Sequence, residues 1–93
     1  MEIQEIQSKA LPVFNRHGVI RAAVFGSLAR GEARENSDFD FLVEFQDEKT
    51  LLDLVALRME LKEVLGREVD VLTYQALHPR IKEKVLREQV MLL

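Results

Sequence analysis

The sequence predicts an α/β (α+β) fold in which helices pack mainly on one face of a small β-sheet. Three short runs have the alternation or the continuous apolar character of strands: residues 20–25, 37–45 and 67–73. Two longer segments, residues 3–17 and 50–65, repeat apolar side chains at helical spacing. With 93 residues, the chain is sized for one domain with one core.

Composition restricts the compartment and the partners that we expect. The chain contains no cysteine, so no disulfide can stabilise it. A protein without disulfides suits a reducing cytoplasm. No targeting leader is visible and no apolar run reaches the ~18 residues needed to span a bilayer, so we expect a soluble protein without a membrane partner. The net charge of -3 argues against DNA or RNA as a partner, since nucleic-acid binding needs a basic surface.

The predicted first helix leads into a buried strand. Gly18 is expected to end the helix over residues 3–17, because glycine adopts the backbone conformation that often follows a helix. Residues 20–25 are short and apolar, and they run directly into Gly26 and Ser27. The first strand therefore ends at a tight turn.

This Gly-Ser turn is the first candidate site. Ser27 is a favoured N-cap residue, so we expect a helix over about residues 28–33 whose unpaired N–H groups would attract a phosphate. Gly26 would let the backbone approach a ligand, and Arg30 could reach back to a phosphate or to a carboxylate that braces the loop. Neither a Walker loop nor a dinucleotide fingerprint fits the neighbours of Gly26 and Gly31. Taken alone, an ordinary capped helix explains the turn equally well.

Two aspartates on the predicted second strand form the next candidate site. Asp38 and Asp40 lie two residues apart, so they share one face of the strand. The other face is apolar and must pack under helices: Phe39, Phe41, Val43 and Phe45. Two carboxylates ~6 Å apart repel by roughly 3 kcal/mol at an effective dielectric constant near 20. A positive group should therefore offset them.

A third carboxylate, Asp70, lies on the predicted third strand. If that strand neighbours the second, Asp70 would join Asp38 and Asp40 in a set of hard oxygen ligands that suits magnesium. A zinc site is disfavoured, since the only nitrogen ligands are His17 and His78. We expect both histidines to cap helices or to lie at the surface.

The rest of the chain is predicted to be scaffold. Gly66 should cap the long helix over residues 50–65. Its core-facing residues are expected to be Leu51, Leu54, Val55, Leu61 and Leu65. A last helix should begin near Pro79, with the alternating charges of residues 80–88 facing solvent. Residues 90–93 could form a closing edge strand or an apolar surface.

The sequence resembles a known family at these motifs. Residues 26–31 (GSLARG), followed after five residues by residues 37–40 (SDFD), resemble the signature of the nucleotidyltransferase superfamily related to DNA polymerase β, and in particular its minimal nucleotidyltransferases. Those proteins also place an aspartate on a later strand, where Asp70 stands. The resemblance covers nearly the whole chain and implies the nucleotidyltransferase fold, with a small mixed β-sheet, in one domain over residues 1–93.

The resemblance also implies a reaction. A minimal nucleotidyltransferase uses Mg²⁺, with two ions expected, to transfer AMP from ATP to a hydroxyl while pyrophosphate leaves. Asp38 and Asp40 would bridge the ions, and Asp70 would bind the catalytic ion or take the proton of the hydroxyl. The turn at residues 26–27 would hold the distal phosphates, together with Arg30 if that side chain contacts phosphate.

The expected partner follows from the same resemblance. Many minimal nucleotidyltransferases resemble antitoxins encoded beside a HEPN-domain ribonuclease toxin, which implies transfer of AMP onto a hydroxyl, typically of a tyrosine, in that partner. The alternatives are a binding module that neutralises a partner by occlusion, and transfer to a small molecule with a helper chain. A structural domain with coincidental acids is the weakest interpretation, since it leaves three aspartates and the Gly-Ser turn unexplained. Self-association stays open.

Overall fold

The computed structural model describes residues 2–34 and 37–93, which form three α-helices and four strands. In chain order these are α1 (Ile3–Arg16), β1 (Val19–Phe25), β2 (Phe39–Phe45), α2 (Leu51–Leu65), β3 (Val69–Thr73), α3 (Pro79–Glu88) and β4 (Val90–Met91). A short 3₁₀ turn, Tyr74–Ala76, links β3 to the segment that leads into α3.

The strands form one mixed sheet in the order β3-β2-β1-β4. Strand β1 pairs antiparallel with both β2 and β4, whereas β2 and β3 are parallel because α2 crosses over between them. The predicted fold class is therefore confirmed.

One face of the sheet packs against α1 and α2. The core cluster contains four residues of α1, three of α2 and the inward-facing residues of β1, β2 and β3, including Phe39, Phe41 and Val43 as predicted. Ala23 and Leu42, which are register partners in β1 and β2, are buried outside this cluster, and so is Leu77. The side chains of α3 are exposed or half-buried. Helices α1 and α2 therefore cover one face of the sheet, and Asp40 and Asp70 lie on the other.

Helix α2 has both of its predicted ends. Thr50 and Asp53 form a capping box at the start, and Gly66 ends the helix in the left-handed conformation with φ of 66°. The predicted core face was partly wrong. Leu51 is 75% exposed and Val55 is 41% exposed, whereas Leu57 is fully buried. Apolar residues occur around the whole helix, so the contacts with α1 and the sheet, rather than the pattern, decide which face is buried.

The segment after β1 also differs from its prediction. Residues 26–31 form consecutive turns instead of the expected helix over residues 28–33. The N–H of Arg30 donates to the carbonyl of Gly26 at 3.2 Å, which makes one helical turn, and Gly31 then takes a φ of 72°. A residue in that left-handed conformation ends the turn before a helix can grow. The helix-dipole contribution to phosphate binding is therefore lost.

Within the two described ranges, none of the helices combines the length and the apolarity that a bilayer crossing requires.

Candidate active site

The two strand aspartates face each other across neighbouring strands. Asp40 in β2 is the register partner of Asp70 in β3. Adjacent strands lie about 4.8 Å apart, so the two carboxylates emerge side by side on the face that α1 and α2 leave open. Asp38 lies one residue before β2 rather than inside the strand, and it is exposed, as Asp70 is, whereas Asp40 is half-buried. The structure thus pairs Asp40 with Asp70, and it places Asp38 at the start of the same strand, close enough for its charge to act on Asp40.

The negative charges of the aspartates make their arrangement electrostatically unfavourable. The pKa of the Asp40 carboxyl is raised, first by burial and then by the negative charges of Asp70 and Asp38. The positive charge of Arg30 acts in the opposite direction and lowers the pKa. The site therefore favours a cation, because a cation would offset the repulsion between the carboxylates.

The Gly-Ser turn lies against the same carboxylate. Phe25, the last residue of β1, pairs with Asp40, and Gly26 follows with φ of +71°. A Cβ built on Gly26 would stand 2.5 Å from Oδ2 of Asp40. Only glycine fits both the backbone conformation and the space. Ser27 is half-buried, and its carbonyl accepts a hydrogen bond of 2.8 Å from the N–H of Glu32.

Arg30 lies between the turn and the end of α3. Its Nε donates to Glu32 at 3.1 Å and its Nη1 donates to Glu88 at 3.5 Å. Of the two roles predicted for Arg30, the structure contains the contact that braces the loop, and the phosphate contact stays a prediction. Glu88 was missed from the sequence, because only the return of the chain along β4 beside β1 brings it to the turn.

The donors at this site fit magnesium held together with a substrate. Among residues 2–34 and 37–93, no three His, Cys, Asp or Glu side chains are placed to form a complete metal site by themselves. Magnesium commonly binds through one or two carboxylates while phosphates and waters supply its other ligands. The paired aspartates fit that mode, whereas no all-protein cage is formed by the described residues.

Both histidines lie at helix ends. His17 is the C-cap residue of α1 and its Nε2 lies 3.2 Å from Glu60, while Nδ1 of His78 caps α3 by accepting from the N–H of Arg80 at 3.1 Å. The predicted capping role is confirmed for these residues.

Sequence comparison identifies the family. The model of the family described as nucleotidyltransferase domain matches residues 7–92. A protein of Methanocaldococcus jannaschii that is named as a candidate protein adenylyltransferase is 57% identical over 90 residues, which cover 97% of both chains. The chain belongs to the nucleotidyltransferase family.

Further relatives place this nucleotidyltransferase among the minimal members. The protein adenylyltransferase MntA of Thermococcus cleftensis is 44% identical over 75 residues, which cover 81% of this chain and 76% of MntA. A solved structure described as a minimal nucleotidyltransferase superposes with a TM-score of 0.82 at 44% identity, over 97% of this chain and 95% of the other. The predicted family and the predicted transferase class are therefore confirmed.

More distant structures share the fold. A toxin-antitoxin structure with AMP-PNP matches with a TM-score of 0.82 at 20% identity, over 94% of this chain and 72% of that chain. A complex of a tri-AMPylated HEPN toxin of Shewanella oneidensis with its MNT antitoxin matches with a TM-score of 0.75 at 17% identity, over 97% of this chain and 71% of that chain.

Proposed function

We propose that this nucleotidyltransferase transfers AMP from ATP, with Mg²⁺, to a hydroxyl of a HEPN-domain ribonuclease partner and so acts as its antitoxin. One observation carries the proposal. Asp40 stands opposite Asp70 in neighbouring parallel strands, with Asp38 close enough to raise the pKa of Asp40 and with Gly26, which has no Cβ, directly against the Asp40 carboxylate. A structural role alone gives no reason to place three like charges close to one another.

The proposed reaction uses each part of the site. The acceptor oxygen attacks the α-phosphorus of ATP, the bond from that phosphorus to the oxygen bridging to the β-phosphorus breaks, and pyrophosphate leaves. Asp70, on the outer strand, would take the proton of the hydroxyl, while Asp38 and Asp40 would hold Mg²⁺. The bound ion would neutralise charge on the phosphates. The turn at Gly26 and Ser27 would hold the distal phosphates through its backbone N–H groups.

A protein acceptor suits the position of the site. Asp38 and Asp70 are both exposed, so a side chain presented by another protein can reach them. The relatives named as protein adenylyltransferases, and the shared fold of the MNT antitoxin bound to an AMPylated HEPN toxin, support the same acceptor class. We infer that a tyrosine is the acceptor residue.

The test is AMP transfer to a HEPN-domain ribonuclease, and the reading frame next to this gene is the first place to look for one. The two proteins are mixed with ATP and Mg²⁺, and the partner is followed by intact-mass spectrometry and by its ribonuclease activity. We expect one or more AMP additions and loss of ribonuclease activity, both abolished by Asp40→Asn. If the two proteins bind but no AMP is added, the proposal is wrong.

The second candidate function is a binding module that neutralises its partner by covering the partner's surface, without catalysis. Helix α2 exposes four large apolar side chains that would suit such a binding surface: Leu51, Leu52, Val55 and Met59. Asp40→Asn separates the candidates, since it removes one carboxylate on the opposite side of the sheet from α2. Neutralisation of the partner that survives this substitution, with AMP transfer abolished, would favour occlusion. Loss of both would favour the transfer reaction.

A further inference from the structure

Asp38 lacks the support that the sheet gives to the other two aspartates. Strand β2 begins at Phe39, whose N–H donates to the carbonyl of Glu68 at 3.1 Å. Asp38 lies just outside that ladder and is exposed. Another contact must therefore hold the backbone on its N-terminal side if its carboxylate is to stay beside Asp40.

Arg67 makes that contact from the start of the β3 segment. Its Nη2 donates to the carbonyl of Ser37 at 2.9 Å and to the carbonyl of Arg34 at 2.9 Å. The same guanidinium lies over the ring of Phe39, with 4.6 Å between its central carbon and the ring centroid. Arg67 thus holds both chain neighbours of Asp38. It donates a hydrogen bond to Ser37, the residue before Asp38, and it stacks on Phe39, the residue after it.

Arg34 and Ser37, the two residues whose carbonyls Arg67 binds, are also hydrogen-bonded to each other. The N–H of Ser37 donates to the carbonyl of Arg34 at 3.0 Å, and the N–H of Arg34 donates to Oγ of Ser37 at 2.8 Å. Arg67 therefore connects Arg34 and Ser37 to the start of the segment that leads into β3, the strand that carries Asp70. Gly66 makes this placement possible, because its left-handed conformation turns the chain from α2 toward the start of β2.

We propose that Arg67 is a positioning residue that fixes Asp38 next to Asp40 and Asp70 for metal-nucleotide binding; this inference rests on the proposed function. Arginine suits the role because its planar group can donate to two carbonyls while it stacks on an aromatic ring. Lysine would keep the charge but would lose the planar stacking, so charge alone should not restore the function.

The first test follows activity as a function of Mg²⁺. In Arg67→Met, the Mg²⁺ concentration for half-maximal AMP transfer should rise roughly ten- to hundredfold, as is typical when a group that orients a metal ligand is removed. The KM for the protein acceptor should stay unchanged. Arg67→Lys should recover little of the loss. Arg16→Met is the control, since Arg16 pairs with Glu60 near the opposite end of β1 and should leave the Mg²⁺ dependence as in the wild type.

The second test needs no turnover. Amide hydrogen exchange at Ser37 and Phe39, the hydrogen-bonded chain neighbours of Asp38, should accelerate in Arg67→Met and in Arg67→Lys, while exchange in β1 stays at the wild-type rate. Absence of transfer in the wild-type protein would reject the proposed function, and this exchange measurement would still test the positioning of Asp38. Wild-type Mg²⁺ dependence or wild-type exchange in both variants would overturn the inference, and so would a loss of activity that only matches a loss of folded protein.

Discussion

Asp40→Asn should stabilise the free protein while it abolishes catalysis. Asp70 stands opposite Asp40 and Asp38 is two residues away, so each pair of charges is separated by about 5–7 Å and would repel by roughly 2–3 kcal/mol at an effective dielectric constant of 20. Asp38 and Asp70 are exposed, so solvent and salt reduce each repulsion to less than about 1 kcal/mol. Arg30 attracts Asp40, and this attraction is also lost in the variant, so it must be subtracted from the repulsion that is relieved. Removal of the Asp40 charge should therefore stabilise the fold by about 1 kcal/mol, which corresponds to a Tm increase of about 4–8 °C.

The sign of the pH dependence follows from the raised pKa of Asp40. The folded state binds the Asp40 proton more tightly than the unfolded state does, so wild-type stability falls as pH rises from the ordinary aspartate pKa of 3.8 through the raised folded pKa. The stability gained in Asp40→Asn should therefore be absent below that window and constant above it. Comparison of variant and wild type at each pH cancels the contributions of other titrating groups.

Thermal unfolding at low ionic strength with EDTA measures this difference. Asp53→Asn is the matched control and should change stability in the opposite direction, because a hydrogen bond from the Thr50 backbone lowers the pKa of the Asp53 carboxyl. Addition of Mg²⁺ with a non-hydrolysable ATP analogue should stabilise the wild type but not Asp40→Asn. Equal or lower stability of Asp40→Asn at pH 7 in EDTA would refute the reasoning.

Two further pairs of variants test the turn and the core. Gly26→Ala and Gly31→Ala should each lose about 1–2 kcal/mol in unfolding free energy because both glycines have positive φ, but only Gly26→Ala should also lose nucleotide binding in calorimetry, since its Cβ meets the Asp40 carboxylate. Equal nucleotide affinity in the two variants would contradict this account. Leu57→Ala should cost about 2–5 kcal/mol in urea unfolding, whereas Val55→Ala should cost much less because Val55 is 41% exposed. Similar losses in both would mean that the described face of α2 is wrong.

Much of the site could be predicted because it follows from local rules. The alternation of residues along β2 puts Phe39 and Phe41 in the core and leaves Asp40 on the other face. Gly26 follows directly from the end of a short apolar strand. The ends of α2 were equally accessible, since a capping threonine and a left-handed glycine act within a few residues of the helix.

Other features depend on contacts between distant segments. Residues 28–33 have a good helix start, but Gly31 allows only turns. The buried face of α2 depends on where α1 and the sheet meet it, because the helix is apolar on several sides. The contacts of Arg30 with Glu88 and of Arg67 with Ser37 join residues that are far apart in the chain, so no short-range sequence pattern predicts them.

The sequence by itself determined the chemical groups of the site, since strand alternation fixes the sheet face that Asp40 and Asp70 take and a glycine turn fixes where the backbone is open. Only the tertiary structure decided that the carboxylates meet. Asp40 and Asp70 are joined by the parallel register of β2 and β3, which depends on α2 crossing over the sheet and burying Leu57, Leu61 and Leu65. Register is a property of the packed sheet, because a shift by one residue would move every side chain of β3 to the opposite face.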